Sequence, residues 1–167
     1  MFIEMKVAGI TLDPMTKMPI VILKDSSGEN ALPIWIGIAE ASAIATQLEK
    51  IDLARPMTHD LLRNVLNELD VNLEKVEVTD LKDNTYFAIL HLKVGGERLP
   101  VDSRPSDAIA LALRTESPIF VHEEVLNKSR HIDASKAEEG MATPEDRDKW
   151  TEILENLSPE AFGKYKM

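Results

Sequence analysis

The chain contains no cysteine. That excludes a disulfide scaffold, a thiolate zinc centre, a thiolate-ligated iron–sulfur cluster and a cysteine nucleophile. Aromatic residues make up only 5%, and they do not interleave with basic residues as a stacking platform for single strands would require. No apolar run approaches the roughly 18 residues of a membrane span. The first ten residues, with Glu4 inside them, lack the hydrophobic region of a secretion signal. A cytoplasmic location with no membrane contact is the expectation. Clusters of Lys and Arg are also missing: 19 basic residues face 29 acidic ones, for a net charge of −10. This balance disfavours high-affinity nucleic-acid binding, which draws on clustered positive charge. The phosphate loop GxxxxGK[ST], the dinucleotide fingerprint GxGxxG, GxSxG and HExxH are all absent.

What is present is enough for a packed domain: 167 residues, 44% of them hydrophobic. Apolar alternation predicts strands over residues 2–11, 19–23, 32–36, 71–81, 85–94, 99–101 and 118–121. Helical spacing predicts helices over 39–51, from Thr58 to about Leu69, over 105–114 and around 123–126. The helix at Thr58 is expected to bury Leu61, Leu62, Val65, Leu66 and Leu69. Lys82-Asp83-Asn84 reads as the turn of an antiparallel hairpin, and His91 as an exposed strand residue. After residue 126 the composition turns polar. Residues 127–143 read as a linker. Thr143-Pro144-Glu145-Asp146 then opens an amphipathic helix in the tail, 144–167, with Trp150, Ile153, Leu154 and Leu157 on one face.

The chain also matches itself at an offset of 67 residues. Leu32-Pro33-Ile34 falls on Leu99-Pro100-Val101, Glu40-Ala41 on Asp107-Ala108, and Ala43 and Ala45 on Ala110 and Ala112. The fold class this predicts is α+β with two related β-β-β-α halves and a mainly antiparallel sheet. The copies differ in one place: LPIWIGIAEA in the first stands where LPVDSRPSDA stands in the second.

That polar replacement, Asp102 to Asp107, is the densest constellation of chemistry-bearing residues. Two carboxylates five apart can share a hard divalent cation, and Arg104 between them can hold a phosphate in a two-pronged fork. The competing account is helix capping by Ser103 or Ser106, with Asp107 complementing the helix dipole. A second constellation is Arg55-Pro56-Met57-Thr58-His59-Asp60. A histidine beside a carboxylate can serve as a general base or metal ligand, although these are also ordinary residues for a helix start.

The stretches LPIWIGIAEASAI, RPMTHDLL, DNTYFAILHL, VDSRPSDAIALALR and SPIFV together resemble the bifunctional nuclease domain family over roughly residues 3–126. The resemblance implies an α+β domain in residues 1–126, assembled as a homodimer or higher homo-oligomer, that hydrolyses RNA and DNA. At the positions matching its motifs, chemical inference assigns catalysis to Asp102, Arg104, Asp107 and His59. Substrate contacts fall to Arg55, Arg104 and Ser106. A Mg²⁺ or Mn²⁺ site falls to Asp102 and Asp107 with Glu40 or Asp60. The alternative from another class is a non-enzymatic oligomeric module that binds a small anionic ligand or a protein partner.

Overall fold

The computed structural model describes residues 1–129. Most of the expected linker and the expected tail helix lie outside the described residues. Among the described residues the chain runs through β1 (Phe2–Leu12), β2 (Pro19–Asp25), β3 (Ala31–Trp35), α1 (Ile38–Leu48) and α2 (Thr58–Glu68). It continues through β4 (Val71–Lys82), β5 (Thr85–Val94), β6 (Glu97–Ser103), α3 (Pro105–Thr115), β7 (Ile119–His122) and α4 (Glu123–Ser129). The α+β expectation holds.

The seven strands form one sheet in the order β3-β2-β1-β7-β4-β5-β6. All neighbours are antiparallel except β4 and β7. β7 therefore sits between two wings, β1–β3 and β4–β6. The hairpin between β4 and β5 closes through Asp83 and Asn84, both with positive φ. Asn and Asp tolerate that conformation, and it matches the twist of the paired strands. Asp13 organises the turn after β1: its carboxylate accepts from the amides of Met15 and Thr16 and from the Trp35 indole N–H. Trp35 thus ties β3 to that turn.

Helices α1 and α3 lie against one face of the sheet and against each other. Small buried side chains on both, Ala41 and Ala45 on α1 and Ala108 and Ala112 on α3, permit the close approach. Val21, Leu23, Ile44, Val76, Val78, Ile109, Leu111 and Val121 fill the space between helices and sheet. Each such side chain contributes on the order of 1.5–3 kcal/mol by leaving water. No helix among the described residues is long and apolar enough to cross a membrane.

Two expectations need correction. Helix α2 buries none of its residues. Leu61, Leu62, Val65 and Leu69 are exposed, and of its apolar side only Leu66 packs against the core. The helix lies on α3 and the start of β4 at the rim of the domain, so its apolar stripe extends past the area its neighbours cover. His91 is not an exposed strand residue. It is paired through Nε2 with Glu77 at 2.7 Å, and Glu77, also held by Lys75, is only 8% exposed. Burial pushes the Glu77 carboxyl up, but its bonds to Lys75 and His91 outweigh that and hold it below the usual range.

One long-range bond links the two wings. The Tyr86 hydroxyl on β5 donates to the Pro33 carbonyl on β3 at 3.1 Å, and burial pushes the phenol up to about 12. Tyr86→Phe is expected to cost about 1 kcal/mol in urea unfolding. Ionisation is disfavoured in the folded state. The stabilisation is therefore complete below the unfolded-state value of about 10 and disappears as pH rises toward 12. Wild type should lose its advantage over the variant across that window. An unchanged difference from pH 8 to 11.5 would contradict the assignment.

Candidate active site

The loop from β6 into α3 is built by Pro105. A proline is favoured in the first turn of a helix and forces the residue before it into extended backbone. Arg104 accordingly has φ −70° and ψ 144° and is the N-cap of α3. From there its guanidinium reaches two carboxylates. Nε donates to Asp107 Oδ2 at 2.8 Å, and Nη1 donates to Glu40 Oε1 at 2.9 Å. The Arg104 side chain remains 65% exposed.

Glu40 arrives from the first turn of α1. Gly37 makes room for it: a Cβ there would lie 2.3 Å from Glu40 Oε2. Absence of a side chain at Gly37 lets the carboxylate fold back over the helix start toward Arg104. His59 arrives from the first turn of α2, and its Nε2 lies 2.8 Å from Asp107 Oδ1. Residues as far apart in sequence as Glu40 and Asp107 thus form one continuous polar chain, Glu40–Arg104–Asp107–His59. The starts of α1, α2 and α3 meet there, which brings three partial positive helix ends to one spot.

Asp107 is half-buried. Burial pushes its carboxyl up, but the hydrogen bonds from Arg104 and His59 outweigh this and keep it below the ordinary range. An ionised Asp107 next to Nε2 favours the tautomer with the proton on Nε2. The lone pair on Nδ1 is then available to accept a proton. Arg104 has five N–H donors, of which the two bonds above use two. The others are free for an anion.

The structure brings together four of the expected residues: Glu40, His59, Arg104 and Asp107. Asp60 is next to the cluster but turned to another partner. Its Oδ1 accepts from Arg114 Nε at 2.7 Å, and its Oδ2 accepts from the Met57 amide at 3.0 Å. Asp102 is not brought to the cluster. It pairs with Ile89 in the register of β6, whereas Ser103 pairs with buried Ala88. Alternation along the strand therefore puts Asp102 on the sheet face away from α3. Ser106 is 6% exposed and belongs to the buried side of α3. No side-chain cap forms at Arg104, and Ser103 donates to the Arg104 carbonyl instead. Arg55 is exposed in the loop before α2.

These donors do not fit a ready cation site. Among the described residues no three His, Asp or Glu side chains group as metal ligands. Glu40 and Asp107 are bridged by Arg104, and Asp60 is bound by Arg114. Sequence reasoning missed Arg114, whose side chain is 2% exposed. The available signal was its spacing of seven from Asp107, which places both on one face of α3.

A family model described as "Bifunctional nuclease domain" matches residues 21–134. An uncharacterized protein of Mycobacterium tuberculosis is 37% identical over 162 residues, covering 95% of this chain and 97% of that protein. Bifunctional nuclease 1 of Arabidopsis thaliana is 32% identical over 108 residues, and Bifunctional nuclease 2 of Oryza sativa subsp. japonica is 28% identical over 118 residues. Those matches cover 62% and 68% of this chain but only 33% and 36% of the plant proteins.

Proposed function

As this chain belongs to the bifunctional nuclease domain family, we propose that it hydrolyses phosphodiester bonds of RNA and DNA at the Glu40–Arg104–Asp107–His59 cluster. The observation that carries the reading is the geometry of Arg104. It is exposed, oriented by two carboxylates, retains unused donors, and lies one residue pair away from a histidine whose tautomer is set by Asp107. In this reading Arg104 seats a non-bridging phosphate oxygen and offsets charge that builds on it. His59 takes a proton from the attacking water through Nδ1. The water oxygen bonds to phosphorus, the bond to the departing ester oxygen breaks, and the imidazolium returns the proton to that oxygen. Glu40 orients Arg104. Glu40 and Asp107 each stand third in their helices, α1 and α3, and we read the two β-β-β-α units as copies of one ancestral unit.

A divalent cation, which the sequence suggested, would have to displace Arg104 from Glu40 and Asp107. A chelator arm in the assay decides whether that happens. The decisive assay uses homogeneous protein with single- and double-stranded DNA and with RNA, in Mg²⁺, Mn²⁺ or chelator, beside Arg104→Ala. An exposed ion pair contributes little to stability, so this variant should keep its fold and thermal midpoint. Its cleavage rate is expected to fall about 10²–10³-fold, the usual loss on removing one donor to a developing oxyanion. Equal rates in both proteins would assign the cleavage to another site or a contaminant.

A second reading, an oligomeric module without turnover, is favoured by the uncovered apolar stripe of α2. Absence of cleavage in every metal condition would support it. In either case we propose a cytoplasmic homodimer or higher homo-oligomer, to be checked by light scattering.

A further inference from the structure

A cavity of about 340 Å³ opens beside the cluster between the end of α1, the loop 51–56, α2 and the last turn of α3. Three arginines line it, Arg55, Arg63 and Arg114, against two acids, Asp52 and Asp60. In a chain of net charge −10, such a local excess of guanidinium is against the overall composition.

The acids cancel it only in part, since three guanidiniums face Asp52 and Asp60 alone. Asp60 is spent on Arg114 and on the Met57 amide. Burial pushes its carboxyl up, but those bonds outweigh the effect and hold it ionised. Arg63 rests Nε and Nη2 on Asn64 Oδ1, at 3.2 and 3.0 Å. That acceptor is neutral, and the charge of Arg63 acts on Asp60 only through space, without a bond to it. Arg55 is exposed and has no ion-pair partner among the described residues. Arg114 is fixed by Asp60 and by the Ala110 carbonyl, and it forms a rigid wall.

We propose that this cavity is a binding site for a phosphate group carried by a nucleotide, with Arg55 and Arg63 as its ligands and Arg114 as its wall. Planar guanidiniums suit phosphate oxygens, and the volume lies in the range that holds small-molecule ligands. The position is consistent with a strand that also passes the cluster. Arg114 follows Asp107 by seven residues on the same face of α3, about 10 Å along the helix axis. The choice of a nucleotide as carrier rests on the nuclease reading, whereas the anion site does not.

The test is calorimetric titration of the full chain with inorganic phosphate, AMP, and a trinucleotide with and without a 5′-phosphate. Wild type, Arg55→Ala, Arg63→Ala, the double variant and Arg98→Ala, a control on β6 outside the lining of the cavity, are compared in the presence of chelator. AMP should bind more tightly than phosphate. Its Kd should rise about 10-fold in each single variant and about 100-fold in the double, as expected for charge-assisted bonds, with no change in Arg98→Ala. A preference for the phosphorylated trinucleotide would assign the site to strand ends. Equal binding of both trinucleotides, tighter than AMP, would assign it to an internal phosphate. Kd values unaffected by the double variant, or an equal loss in Arg98→Ala, would overturn the site. AMP binding no tighter than phosphate would overturn the nucleotide. None of these readouts depends on cleavage, so failure of the nuclease reading is scored separately.

Discussion

Replacing His59 by alanine is expected to lower phosphodiester cleavage by about 10²–10⁴-fold, the usual contribution of a positioned general base. The loss should fall on kcat, with KM nearly unchanged, because the phosphate contacts of Arg104 do not involve His59. The same logic extends to Asp107→Asn. An asparagine amide can turn its NH₂ toward Nε2 and so move the imidazole proton to Nδ1, which disables the base while leaving the side chain in place. That variant should lose activity to a similar degree, although it removes only a charge. The loop itself should survive, because Arg104 and Asp107 are both on the surface side of the domain and their pairing is partly solvated. His59→Ala with wild-type kcat, and an unaltered thermal midpoint, would remove His59 from the chemistry.

The largest stability effect is expected at Arg114. Its side chain is 2% exposed, and Asp60, its partner, is 17% exposed. Arg114→Ala leaves the partly buried Asp60 carboxylate without the cation that bonds it, at a cost of about 3 kcal/mol, the low end for such a pair because Asp60 also borders the cavity. For a domain of this size that corresponds to a fall in Tm on the order of 10 °C. The effect should be severe because α2 has little else to hold it. Among the described residues no residue of α2 is buried, and its hold on the domain includes Leu66, the His59–Asp107 bond and the Asp60–Arg114 pair. Replacing both partners, Asp60→Leu with Arg114→Met, should recover much of the loss, since no unpaired charge is left behind.

The pair also has a pH signature. The folded-state pKa of Asp60 is lowered because the bonds from Arg114 and Met57 outweigh the effect of burial. Its stabilisation is therefore complete above the unfolded-state value of about 4, and is lost as pH falls through the lower folded-state value. Denaturant unfolding of wild type and Asp60→Asn between pH 2.5 and 7 should converge at the acid end. A gap that stays constant with pH, or an Arg114→Ala cost below 1 kcal/mol, would contradict this account.

Much of this architecture is local and was legible in the chain. The strand of Thr85–Val94 shows its buried side as Ala88, Leu90 and Leu92, two residues apart. Asp83-Asn84 is a turn because those residues accept positive φ. Pro105 marks a helix start by its ring geometry. The polar stretch Asp102–Asp107 stood out because its counterpart 67 residues earlier is apolar. Its inner assignment was less legible. Asp102 and Asp107 look like a pair by spacing, yet strand alternation sends Asp102 to the other face of the sheet. The stripe on α2 carried the period of a buried helix, and period reports amphipathicity without reporting how much neighbouring surface exists to cover it.

The sequence by itself determined the order and type of the elements, the family and the two motifs that carry polar helix starts. These follow from hydrophobic period, turn residues and proline, which act over a few residues. Only the tertiary structure decided that Glu40, His59, Arg104 and Asp107 meet, that Asp60 belongs to Arg114, and that Arg55 and Arg63 face one cavity. Those contacts depend on how α1, α2 and α3 converge on one sheet. Convergence is set by packing among segments distant in the chain, and no local pattern of residues encodes it.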